Sequence, residues 1–91
     1  MTDTTAMVQT TALSTQPLDA LASDEAAVVV AISGGRGFVS RLASLGFVPG
    51  ASVTMVHNYG RGPIIVSVHQ THIALGRGQA AKILVHKESD L

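Results

Sequence analysis

The sequence contains no cysteine and no tryptophan, and its aromatic side chains are Phe38, Phe47 and Tyr59 alone. Without cysteine there is no disulfide staple, no thiolate metal site and no cysteine nucleophile, so stability has to come from apolar packing and a reducing compartment suits the chain. Long hydrophobic runs are missing as well. The longest, Ala26 to Ile32, falls far short of the ~18 to 20 residues that cross a bilayer. The opening MTDTTAMVQTTALSTQP has neither a basic start nor a continuous apolar stretch, which argues against a secretory signal. A soluble, cytoplasmic chain that does not span a membrane is expected.

Acidic residues are absent between positions 26 and 87, where all six basic residues lie: Arg36, Arg41, Arg61, Arg77, Lys82 and Lys87. A formal net charge of zero therefore hides a body of charge +6, flanked by Asp3, Asp19, Asp24 and Glu25 before it and Glu88 and Asp90 after it. Such a body favours an acidic protein surface, an anionic membrane or nucleic acid. The same absence removes paired-carboxylate acid/base chemistry and any carboxylate to orient a catalytic histidine. Ser67 and His69 alternate onto one strand face as surface neighbours, which is a poor nucleophilic pair, and no enzyme is expected.

Neither the glycine run nor the histidines make a strong site. Gly34-Gly35-Arg36-Gly37 sits between a strand and a helix, where anions can bind, but it lacks the dinucleotide spacing and the Lys-Ser/Thr ending of a phosphate loop, and it reads as a turn. His57, His69, His72 and His86 are the available metal ligands. His69 and His72 flank one turn and form the candidate pair for weak binding of a divalent transition metal; no resident cofactor is expected. For nucleic acid, the apolar helix position of Phe38 leaves Tyr59 and Phe47 as stacking platforms, too few for a single-strand binder.

What is present is a compact alternation of short elements. Residues 1–16, rich in Thr and Ser, read as a mobile leader, and residues 17–91 as one domain. Leu18 and Leu21 suit a helical turn packed on that domain. The β-branched run Ala26 to Ile32 predicts a buried strand, and Phe38, Leu42 and Leu45 line one face of a helix of about two turns. Gly46 suits its C-terminal cap, and Pro49-Gly50 a tight turn. Alternation then predicts strands around Ala51 to His57, Ile64 to His69, His72 to Leu75 and Lys82 to His86. The joints are the glycine-rich loop 58–63, a Gln70-Thr71 turn and a turn or single helical turn at 76–81. The fold class is mainly β: a small, partly open five-stranded barrel with one or two short inserted helices. Its exposed edge strands allow a homodimer.

Two ordered motifs sharpen this reading. Arg41, Leu42, Leu45, Gly46, Phe47, Pro49 and Gly50 fill an R-L-x-x-L-G-hydrophobic-x-P-G segment. Ile73, Ala74, Leu75, Gly78, Ala80, Ile83 and Val85 fill a closing segment. Together they resemble the FeoA family, over about Leu18 to Lys87; the long Thr/Ser-rich start departs from it. The resemblance implies an SH3-like barrel and a non-catalytic accessory role in ferrous iron uptake, docking on the cytoplasmic side of a FeoB-type transporter and modulating it. It also implies kinship with the interaction modules of diphtheria-toxin-repressor-type metal regulators. On this reading Arg36, Arg41, Tyr59, Arg61 and Arg77 are the candidate partner contacts. Leu42, Leu45, Gly46, Pro49, Gly50 and Gly78 are structural, with the leucines in the core. The alternatives are a basic barrel that binds nucleic acid, or a metal-binding regulator domain that uses His69 and His72.

Overall fold

A computed structural model describes residues 15–88. The order is β1 (Thr15–Pro17), a 3₁₀ turn (Leu18–Ala20), β2 (Ala26–Ile32), α1 (Arg36–Ser44), β3 (Ser52–His57), β4 (Ile64–Val68), β5 (Thr71–Leu75), α2 (Arg77–Ala80) and β6 (Ile83–Lys87). Six antiparallel strands form one sheet in the order β1-β6-β2-β3-β4-β5. The mainly β architecture with two short helices is the one expected, with a sixth strand added. Thr15 and Gln16, assigned to the leader from sequence, pair with His86 and Val85 as part of β1; the rest of the expected leader lies outside the described residues.

Alternation builds the core. Val53 and Met55 of β3, Ile64, Val66 and Val68 of β4, and Ile83 and Val85 of β6 are all buried, and their strand neighbours tend to face outward. Leu18 and Leu21 are each 0% exposed, so the 3₁₀ turn is a part of the core. Burying each stabilises the fold by roughly 1.5–3 kcal/mol. Of the two forms open to this run, buried on both faces or lying against a core, β2 takes the second, with Ala27 and Val29 buried. Its pairing with β6 slips between Val29 and Ala31, and the extra residue, Val30, faces out at the bulge.

The first motif folds into two linked caps. At the end of α1, the Phe47 N–H donates to the Leu42 carbonyl (2.9 Å) and the Gly46 N–H to the Ala43 carbonyl (3.0 Å). This is a Schellman closure, with Gly46 left-handed at φ 101°. The closure carries its usual apolar contact partners: Leu42 and Phe47 are both fully buried. Phe47 is therefore a core residue and not a stacking platform, and Leu45, expected in the core, is 40% exposed. The reason is geometric, because a closure of this kind turns the residue after its glycine back onto the helix and leaves the C-cap outside. Val48-Pro49-Gly50-Ala51 then makes a β-turn, with the Ala51 N–H on the Val48 carbonyl (2.9 Å) and Gly50 at φ 95°. Gly50 N–H to Val29 O (2.8 Å) and Val29 N–H to Ala51 O (2.9 Å) fasten the turn to β2.

The hairpin between β4 and β5 turns one residue earlier than expected, on His69 (φ 51°) and Gln70 (φ 67°), with Val68 paired to Thr71. Two left-handed residues flanked by a strand pair make a tight type I′ hairpin.

Candidate functional site

Strand register divides the candidate contacts between two ends of the sheet. Ser52 at the start of β3 lies beside Val28 and Val53 beside Val68, which brings the α1–β3 connection and the β4–β5 turn to one end. The His69 ring stands against Gly46 there: a Cβ on that glycine would lie 2.5 Å from His69 Cδ2. Arg36 and Arg41 belong to this α1 end. Tyr59 and Arg61, in the β3–β4 loop, belong to the opposite end, where Leu75 pairs with Ile64 and Arg77 follows. The five candidates are thus not one patch.

At the α1 end, Arg41 and Leu45 stand one helical turn apart and both are exposed. Val48, just past the cap, is 40% exposed. Arg41 in the last turn also complements the negative end of the helix dipole. Lys82 lies 5.4 Å from the Phe38 ring centroid and stacks its charge on the start of the same helix. Phe38 itself is half-buried and packs on the core. The exposed apolar pair Leu45 and Val48 escapes a reading by helical periodicity; the signal was the glycine at 46, which ends the periodic face one residue earlier.

At the loop end, the Tyr59 ring stacks on His57 at 5.4 Å between centroids, and its hydroxyl lies 3.0 Å from His57 Nδ1. Tyr59 is 77% exposed and is the one exposed aromatic among the described residues. Arg77, expected to face a partner, is turned inward instead. Its guanidinium donates to Asn58 Oδ1 and lies 3.9 Å from the Asp19 carboxylate, and its Nε is buried without a partner. Asn58 is the hub. Its Nδ2 donates to the carbonyls of Asp19 (2.9 Å) and Leu21 (2.6 Å), its own N–H to Ser23 Oγ (3.0 Å), and its Oδ1 also accepts from Gly60 (3.0 Å). The asparagine was read from sequence only as a loop residue. Nothing local announces it, because its partners lie 37 and 39 residues away.

The acids that precede the body change its charge. Asp19 meets Arg77, and Glu25 meets Lys87 at 3.1 Å. The Glu25 carboxyl is held below its ordinary value, first by the Ala22 N–H donating at 2.7 Å and then by Lys87. Glu88 accepts from Ser52 Oγ at 2.9 Å. With four acids and six bases among residues 15–88, the folded body carries about +2 where the sequence count suggested +6. Arg36, Arg41 and Arg61 are exposed and face no carboxylate in an ion pair among the described residues.

The two candidate histidines stand on different elements. His69 occupies the turn against Gly46, while His72 is exposed on β5 opposite Ser67. Ser67 and His69 are consequently not neighbours along one strand face. No group of three or more His, Asp or Glu is placed to hold a metal among the described residues. No helix of the described residues is long and apolar enough to cross a membrane.

Gly78, counted with the structural glycines, lies inside α2 with nothing within 4 Å of a Cβ placed there and no left-handed φ. Neither crowding nor backbone strain holds glycine at this position. We expect Gly78→Ala to leave thermal stability unchanged or raise it by about 0.5–1 kcal/mol, read as a melting shift of a few degrees.

The FeoA domain family matches residues 16–87. A Methanocaldococcus jannaschii protein that carries the name Fe(2+) transport protein A is 38% identical over 69 residues, 76% of this chain and 83% of that one. A crystal structure of the iron uptake regulatory protein FeoA superposes with a TM-score of 0.75 at 34% identity, over 80% of this chain and 97% of that one. The zinc complex of Stenotrophomonas maltophilia FeoA, described as a procaryotic SH3 domain protein, gives 0.69 at 32% identity, over 77% and 88%. A manganese-dependent transcriptional repressor shares the fold at a TM-score of 0.72 and 21% identity, over 80% of this chain and 41% of that one. The family match spans nearly the whole described body, both motifs included, and the chain belongs to the FeoA family.

Proposed function

We propose that the chain is a non-catalytic, cytoplasmic accessory protein of ferrous iron uptake that docks on the cytoplasmic region of a FeoB-type transporter and modulates it. Family membership supports the pathway, since the relatives carry the names of iron transport proteins and one has been suggested to activate ferrous iron transport. The observation that carries the docking reading is the α1 end: exposed Leu45 one helical turn from Arg41, exposed Val48 just past the cap, and Arg36 on the same helix. Apolar anchors next to unpaired arginines supply residence time and attraction to an acidic surface respectively. The ferrous ion is the cargo of the transporter and is given no site on this chain. Tyr59 and Arg61, at the other end of the sheet, are on this reading secondary.

The test is binding of the purified chain to the solubilised transporter and to its isolated cytoplasmic region, at low and high salt, with and without ferrous iron. Arg36→Glu should weaken binding by about tenfold without harming the fold, because a carboxylate at a helix N-terminus is favourable. Leu45→Ala should raise the dissociation rate, and Arg61→Glu should change little. Loss of binding in Arg61→Glu but not in Arg36→Glu would move the docking face to the loop end. Absence of binding by the folded wild type would refute the reading.

A further inference from the structure

The two edges of the sheet are unequal. β1 is three residues long, contains Pro17 and runs directly into the 3₁₀ turn, features that blunt an edge. β5 is five residues long, Thr71-His72-Ile73-Ala74-Leu75, with no proline, glycine, lysine, arginine or carboxylate. It pairs with β4 on one side, and no backbone hydrogen bond is formed on its other side among the described residues.

The hairpin fixes which groups that edge offers. In a two-residue hairpin the flanking pair, Val68 and Thr71, exchanges hydrogen bonds, and so does every second pair, Val66 with Ile73 and Ile64 with Leu75. Thr71, Ile73 and Leu75 therefore spend their N–H and C=O groups on β4. His72 and Ala74 turn theirs to the free side. Both are exposed, and Ile73 between them is half-buried at the rim of the core.

We propose that this edge binds β5 of a second copy of the chain, antiparallel, about a two-fold axis through Ile73. That register sets His72 opposite Ala74 of the other copy and closes four backbone hydrogen bonds. Ile73 meets its own equivalent as a close, non-hydrogen-bonded pair, which adds apolar contact to an edge that was half covered. The strand is self-complementary in donors, acceptors and apolar rim, and with no formal charge on β5 the two copies do not repel. Ala74 leaves room for the facing His72 side chain. The dimer joins two six-stranded sheets into one continuous sheet. It does not rest on the transporter reading.

Sedimentation of the full chain from about 10 µM to about 1 mM should show a reversible dimer, as a small edge contact is expected to be weak. Ala74→Pro removes one outward N–H per copy and no bond to β4. With two of four hydrogen bonds lost, the dimer should weaken by about thirtyfold. Should that variant fail to fold by circular dichroism, Ala74→Lys, a charge placed on the edge, is expected to give the same monomer. The cysteine-free sequence allows a register test: Ile73→Cys should form an intermolecular disulfide much faster than Ala74→Cys, because only position 73 faces itself. A chain that stays monomeric throughout overturns the proposal. A dimer unaffected at Ala74, or cross-linking as fast at 74 as at 73, assigns the association to another surface and overturns it equally.

Discussion

Gly46→Val is expected to destabilise the protein by about 3 kcal/mol or more, the larger part from the backbone. A β-branched residue at φ 101° lies outside its allowed region, and each such residue costs about 1–3 kcal/mol. The new side chain also meets the His69 ring, whose Cδ2 would be 2.5 Å from the Cβ, and Val68 Cγ2 at 3.4 Å. The two contributions can be separated. Gly46→Ala keeps the strain and the clash, and adding His69→Ala removes the clash alone, so the double variant should melt several degrees above the additive expectation. Chemical denaturation of the four proteins measures this directly. A Gly46→Val protein with wild-type stability that fails to bind the transporter would instead make the glycine a contact residue.

Asn58→Ala should cost about 2–4 kcal/mol, more than a loop substitution ordinarily does. It leaves the Asp19 and Leu21 carbonyls without their donor and takes from Arg77 the acceptor of its Nη2, in a side chain whose Nε is already buried without a partner. Asn58→Asp is the informative companion. It keeps an acceptor for Arg77, but its carboxylate faces two carbonyl oxygens, so it too should be destabilised, and least so at low pH, where the protonated form can donate again. Urea midpoints at neutral and acidic pH check both. If Asn58→Ala unfolds at the wild-type midpoint, the 3₁₀ turn is held by Leu18 and Leu21 alone.

Much of this was legible from residue pattern because the elements are local. β-branched alternation marks β2 to β4 and β6, and Pro49-Gly50 marks the turn before β3, each from neighbours in sequence. What was not legible depends on distant partners or on a single dihedral. Thr15-Gln16-Pro17 has no apolar periodicity, and it becomes a strand only because β6 offers it a ladder. Leu45 and Phe47 exchange places relative to the helical repeat because the left-handed Gly46 reverses the chain between them. Arg77 looks like a surface cation beside two glycines until Asn58 and Asp19, contributed by two other segments, close on it. The candidate contacts on α1 were correctly placed outside by their helix. That they stand at the opposite end of the sheet from Tyr59 and Arg61 follows only from strand register.

The segment before Ala26 has a consequence for anyone who trims or fuses this domain. Periodicity invites a boundary at the first obvious strand, yet a chain begun there would lose Leu18 and Leu21, leaving two vacant sockets in the core. Its overhanging carboxylates would go too, and Lys87 and Arg77 would face solvent unneutralised. The result would be a looser and distinctly more cationic object, prone to adhere to any polyanion in a binding assay. A tag or fusion junction placed ahead of Thr15 retains both the cork and its counter-charge, and with them the difference between a selective surface and a sticky one.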